Sequence, residues 1–237
     1  MIVDGLDTYV EILGEGEGVP TLFLHGFGGS ADSFRPVYPL VKGRLITLDL
    51  WGFGKSELPE EFTVYDYAEK VADLLDALKI ERVNLVAHSF GARVALVLMC
   101  YYPERVRRCV IADGAGLKPR RSLRTRWKIF RYKCYKRFAR NFDPDRYGSA
   151  DYLSLPPEMR KTFVNVVNED LGFTLKYISC PVLLVWGEKD ADTPLYMAKK
   201  LKRGLADCGL IIYENCGHFA YLEKTLDFAV TVNEFLK

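Results

Sequence analysis

Apolar residues along this chain fall into short compact runs separated by amphipathic stretches. Residues 21–24, 44–48, 83–87, 106–112, 181–186 and 210–213 are short stretches rich in apolar residues, and each predicts a strand. An early hairpin and a strand over 9–13 precede them. Residues 64–78 carry apolar side chains at 64, 67, 68, 71, 74, 75 and 78, the stripe of an amphipathic helix. Residues 91–102 predict an apolar helix closed by Pro103, and further helices are expected over 194–205 and 220–236. Residues 30–40 predict a short helix with Ser30 as its cap. Strands alternating with helices imply an α/β fold, a mostly parallel sheet with helices on both faces.

Residues 116–173 break the alternation. Leu123, Trp127, Phe130, Cys134 and Phe138 recur at helical spacing, and Pro156-Pro157 opens a second helical stretch with Met159, Phe163, Val166 and Val167 on one side. This predicts a helical insertion between the strand ending at Ala112 and the one starting at Pro181. It is also where charge changes the picture. Residues 118–140 hold eleven Lys or Arg and no acid, leaving 22 basic against 31 acidic residues elsewhere. Such a run reads either as a solvated helix face or as a surface facing an anion. The acidic remainder would repel a phosphate backbone, so no nucleic-acid partner is expected.

With 237 residues, 49% apolar and 27% charged, the composition excludes disordered, collagen-like and coiled-coil chains. No run approaches the ~20 apolar residues of a membrane helix, so no membrane partner is expected. Met1 to Gly5 shows no basic stretch leading into an apolar one, which predicts no secretion signal. The six cysteines form no C-x-x-C pair and have no His at ligand spacing, so they read as reduced thiols of a cytoplasmic protein, with no metal site and no cofactor.

Three glycine-bearing motifs compete for the chemistry. Gly26-Phe27-Gly28-Gly29-Ser30-Ala31 fits G-x-G-x-x-A, and Asp49 ends the next strand, as in a dinucleotide-binding unit. Gly54-Lys55-Ser56 resembles the end of a phosphate loop, but Asp49 stands where that loop needs Gly. Ala87-His88-Ser89-Phe90-Gly91 is a strand–Ser–helix turn with small residues two before and two after the Ser. So sharp a turn admits only small neighbours and pushes the hydroxyl out at the strand end, where the helix N-terminus offers N–H groups. An ordinary N-cap Ser is the alternative. A nucleophilic Ser needs a His and a carboxylate. His88 adjoins the Ser and should point away from it, His25 is better placed to shape its own loop, and His218 follows the last strand. Asp190 follows the penultimate strand, with Asp113 and Asp192 as rival acids. Ser89, Asp190 and His218 stand in the chain order of a hydrolase triad.

Together with His25-Gly26-Phe27-Gly28-Gly29, Asp49–Ser56, Trp186-Gly187-Glu188-Lys189-Asp190 and Gly217-His218, these residues make the chain resemble the α/β-hydrolase superfamily, in its group of small bacterial esterases and carbon–carbon bond hydrolases. Ala87, where many members have Gly, is a minor departure. The resemblance implies Ser89 as nucleophile, His218 as base, Asp190 as its orienter, and an oxyanion hole from the N–H groups of Phe27 and Phe90. It implies a core of residues 1–115 and 174–237 and a helical cap of residues 116–173. Asp49 then becomes a structural turn residue, and Asp113→Asn is expected to cost little in kcat. His25, Gly26, Trp127 and Phe219 are the candidate contacts to a small-molecule substrate. The expected activity is cleavage of a carboxylic ester. A carbon–carbon bond hydrolase, a thioesterase and a non-catalytic receptor on the same scaffold are the alternatives.

Overall fold

A computed structural model describes residues 1–118, 127, 130–132, 135, 137, 152–153 and 155–237. The chain opens with a hairpin of β1 (Ile2–Val3) and β2 (Leu6–Asp7), turned by Asp4 and Gly5, both at positive φ, as a two-residue hairpin turn requires. Seven strands then form one sheet: β3 (Val10–Leu13), β4 (Thr21–Leu24), β5 (Leu45–Leu48), β6 (Val83–His88), β7 (Val106–Ala112), β8 (Val182–Gly187) and β9 (Cys208–Tyr213). Their order is β3-β5-β4-β6-β7-β8-β9, with only β3 antiparallel to its neighbour. Every residue of β4, β5, β6 and β8 is buried, because both faces of the sheet are covered.

Helices α1 (Val64–Ala77), α2 (Phe90–Tyr101) and α4 (Leu195–Gly204) pack on one face, where Val71, Leu75, Leu96 and Leu201 belong to one buried cluster with Leu22 and Leu85. The other face is covered by two 3-10 turns (Ala31–Phe34 and Tyr38–Leu40), α5 (Ala220–Glu223) and α6 (Thr225–Phe235), through Phe34, Tyr38, Tyr221 and Phe228. Two helical expectations are corrected here. Residues 30–40 do not form one helix, since Pro36 and Pro39 supply no N–H. The single helix expected over 220–236 is broken at Lys224, where the Thr225 hydroxyl bonds back to the Leu222 carbonyl at 2.7 Å.

Described elements within residues 116–173 include α3 (Met159–Asn168) and the start of a 3-10 stretch, Leu171–Tyr177. Met159 and Val166 are buried as expected, but Thr162 shares that face and Val167 is exposed. The hydroxyl of Thr162 accepts from the Phe62 N–H, tying α3 to the core. Most of the basic run at 118–140 lies outside the described residues. Trp127 and Phe130 are exposed and lie edge to face, 6.2 Å apart.

β4 has β5 on one side and β6 on the other, so the chain reverses its direction along the sheet there and a crevice opens at the C-terminal ends of β4 and β6, the position where open sheets of this kind bind ligands.

Candidate active site

The site is built where β6 turns into α2. Ser89 sits between them at φ 48°, ψ −109°, a strained conformation for a residue with a Cβ. The turn is possible because Gly91 lies against β4; a Cβ there would stand 2.2 Å from the Leu24 carbonyl oxygen. Ala87 fits in the same turn, fully buried. The Ser89 hydroxyl is 2.9 Å from Nε2 of His218, which follows β9. Nδ1 of His218 is 2.9 Å from Oδ2 of Asp190, which follows β8. The two loops are pressed together at Gly187, where a Cβ would meet the Gly217 carbonyl at 2.0 Å.

Asp190 also accepts from the Asp192 N–H (2.8 Å), the Thr193 N–H (2.9 Å) and the Thr193 hydroxyl (2.6 Å). Burial pushes its pKa up, but the bonds from His218 and Thr193 outweigh this and hold it below the usual carboxylate range. For His218, burial favours the neutral ring, while the hydrogen bond and charge of Asp190 prevail and raise the pKa above its ordinary value. A carboxylate kept ionised beside an imidazole of raised basicity is an arrangement that can accept a proton from the Ser89 hydroxyl.

Among the described residues, the N–H groups of Phe27 and Phe90 have no acceptor. Both residues line the same cavity as Ser89. Two cavities flank the hydroxyl, of about 230 and about 620 Å3, and Phe27, Ser89, Asp192 and His218 border both. Gly26 and Phe219 line the larger one, as the sequence suggests. His25 does not face either: it is 1% exposed, with Nδ1 on the Gly26 carbonyl (2.7 Å) and Nε2 accepting from the Leu50 N–H (2.9 Å). Both ring nitrogens are thus spent on holding its loop, and burial lowers its pKa to about 4. Trp127 borders neither cavity.

The rival readings are resolved by partners. Asp49 gives one carboxylate oxygen to the Ala31 N–H and the other to the Lys55 N–H, each at 2.7 Å, and so braces its turn rather than facing a ribose. Asp113 accepts from the N–H groups of Gly187 (2.7 Å) and Ala220 (3.1 Å) and is fully buried. Asp190, Asp192 and His218 bring three potential ligand atoms within 4.8 Å of one another. Nδ1 of His218 and Oδ2 of Asp190 already bond each other, so an ion held through that pair would displace the link.

Sequence reasoning missed two buried groups. His88 does point away from the hydroxyl, but its Nε2 bonds the His218 carbonyl at 2.8 Å, and its ring lies 4.9 Å from that of His218. Because a carbonyl only accepts, Nε2 carries the hydrogen; Nδ1 is buried with no partner among the described residues, and burial lowers the pKa to about 3. Adjacency to the Ser was the only local signal. Arg93, one turn into α2, is the other.

Comparison with known proteins agrees with this geometry. Residues 21–231 match the model of the alpha/beta hydrolase family. The chain is 28% identical to 2-hydroxy-6-oxo-6-phenylhexa-2,4-dienoate hydrolase of Comamonas testosteroni, covering 94% of this chain and 89% of that one. It is 26% identical to proline iminopeptidase of Lactobacillus crispatus, covering 98% and 95%. A thermophilic esterase from Thermogutta terrifontis superposes with a TM-score of 0.77 at 21% identity, covering 99% and 95%, a likeness of fold. With the family model spanning most of the chain and the strand–Ser–helix turn in place, this protein belongs to the alpha/beta hydrolase family.

Proposed function

We propose that this hydrolase cleaves a small-molecule carboxylic ester through an acyl-enzyme formed on Ser89. The observation that carries the reading is the continuous link from the Ser89 hydroxyl through His218 to Asp190, 2.9 Å at each step. His218 Nε2 takes the hydroxyl proton as the oxygen attacks the ester carbonyl. The free N–H groups of Phe27 and Phe90 receive the negative charge that develops on the carbonyl oxygen. Collapse expels the alcohol, which takes the proton from His218. Water, deprotonated by the same nitrogen, then releases the acid. The two cavities, on the scale of small-molecule sites, would hold the acyl and alcohol portions on either side of the hydroxyl.

A second reading, hydrolysis of a carbon–carbon bond, is favoured by the name of the Comamonas testosteroni relative. Turnover of 4-nitrophenyl butyrate and of 2-hydroxy-6-oxo-6-phenylhexa-2,4-dienoate by the same preparation discriminates them. In the ester reading, Ser89→Ala lowers 4-nitrophenyl butyrate hydrolysis by roughly 10⁴ or more, and a fluorophosphonate labels Ser89 alone. Labelling elsewhere, or full activity in the variant, would remove Ser89 from the mechanism.

A further inference from the structure

Arg93 lines only the smaller cavity. Its neighbours there include Phe90, Leu117, Val166 and Met197, so a guanidinium stands in a largely apolar wall. It is 7% exposed and lies one helical turn beyond Ser89, a rise of roughly 5.4 Å along α2. Nη1 donates to the Glu169 carbonyl at 2.9 Å and Nη2 to the Val167 carbonyl at 3.3 Å, both at the C-terminal end of α3. A guanidinium has five N–H donors, so most of its donor capacity is left over among the described residues. No carboxylate there pairs with it. The Glu169 carboxylate takes the Tyr65 hydroxyl, and the Asp170 carboxylate takes the Gly172 N–H. Burial lowers the Arg93 pKa to about 10, with Glu169 and Asp170 acting in the opposite sense from a distance, so the group stays charged at neutral pH.

A buried cation with unmatched donors carries a large desolvation cost unless a counter-charge reaches it. The carbonyls of Val167 and Glu169 match part of the fork, and Arg93 lines the same cavity as Ser89. We propose that Arg93 is a specificity-determining residue that receives a carboxylate at the far end of a short acyl chain. The substrate class is then an ester of a short dicarboxylic acid, its free carboxylate in the smaller cavity and its alcohol in the larger. The proposal rests on the ester reading with Ser89 as nucleophile.

The test compares 4-nitrophenyl hydrogen succinate with its methyl ester, which has the same chain without the charge. The wild-type enzyme is expected to favour the anionic probe in kcat/KM by about tenfold or more, the scale of hydrogen bonds to a charged group. Arg93→Gln should bring that ratio down by about the same factor, and Arg93→Lys, which keeps the charge but not the fork, should give an intermediate ratio. Because Arg93 also holds α3, the ratio of the two probes is read within each variant, so a general loss of activity divides out. If Arg93→Gln does not fold, the wild-type and Arg93→Lys ratios decide. Equal or faster wild-type turnover of the methyl ester overturns the proposal, as does a ratio unchanged by either substitution. Absence of turnover of either probe, together with no fluorophosphonate label on Ser89, would instead overturn the ester reading and the proposal with it.

Discussion

A carboxylate at the end of a strand can bond a histidine or staple backbone; Asp190 does both, whereas the Asp113 carboxylate bonds backbone N–H groups alone. Asp113 stands at φ 46° with its two oxygens on the N–H groups of Gly187 and Ala220, three residues before Asp190 and two after His218. It therefore holds together the loops that present both groups. Burial raises its pKa to about 7, with the nearby Asp190 charge adding to the effect and the two N–H bonds opposing it. An amide at this position has one acceptor where two are needed and turns a donor toward an N–H. Asp113→Asn is thus expected to lower stability to urea by about 1–3 kcal/mol, a cost distinct from the small effect on kcat that the sequence leads one to expect. Asp190→Asn should reduce kcat on the order of 10⁴. The two variants also differ in pH profile. His218 must be neutral to accept a proton, and its pKa is raised by Asp190 against the effect of burial, so kcat/KM should fall as pH drops through a value above 6.5. That limb should move to lower pH in Asp190→Asn, and an unmoved limb would detach Asp190 from His218.

Elements differ in how plainly the chain announces them. Helix α1 begins where Thr63 and Asp66 exchange bonds: the Thr63 N–H donates to Oδ2 of Asp66 at 2.6 Å and the Asp66 N–H to the Thr63 hydroxyl at 3.4 Å. Removing the cap in Thr63→Ala should cost about 1 kcal/mol, measured as a shift of the urea midpoint at constant slope. The central strands and the amphipathic stripe of α1 were legible because burial on two faces, or one, leaves a local pattern. Edge strand β9 was read two residues short, since Cys208 and Gly209 are half-buried and exposed and break no apolar run. The Ser89 turn was legible because small neighbours are a local requirement of its geometry. The tasks of His88 and Arg93 were not, because their partners are main-chain carbonyls at 218, 167 and 169, distant in sequence and unmarked by residue type. His25 was read too close to the substrate for the same reason: its partner is the N–H of Leu50.

At the scale of the whole molecule, two buried neutral histidines tie the fold to pH. His25 and His88 have folded pKa values of about 4 and about 3, each lowered first by burial from 6.5. A depressed histidine contributes stability that is fully present above 6.5 and is lost as pH falls toward the folded value, by about 1.4 kcal/mol per pH unit per group. Asp113, raised from 3.8 to about 7, acts in the opposite sense over that window. Urea midpoints from pH 6.5 to 4 should therefore fall less steeply in His88→Gln than in the wild type; equal slopes would mean that the ring titrates normally in the fold. The order of strands has a further consequence, one of timing. Ser89 and Phe27 follow β6 and β4, whereas Asp190 and His218 arrive only after the crossover from β7 to β8 returns to the sheet. Closing so long a loop is slow relative to local helix formation. Early in refolding the chain can hold its central strands and still carry Ser89 with no histidine beside it, so on the proposed mechanism recovery of turnover marks the docking of the last two strands rather than collapse of the first five.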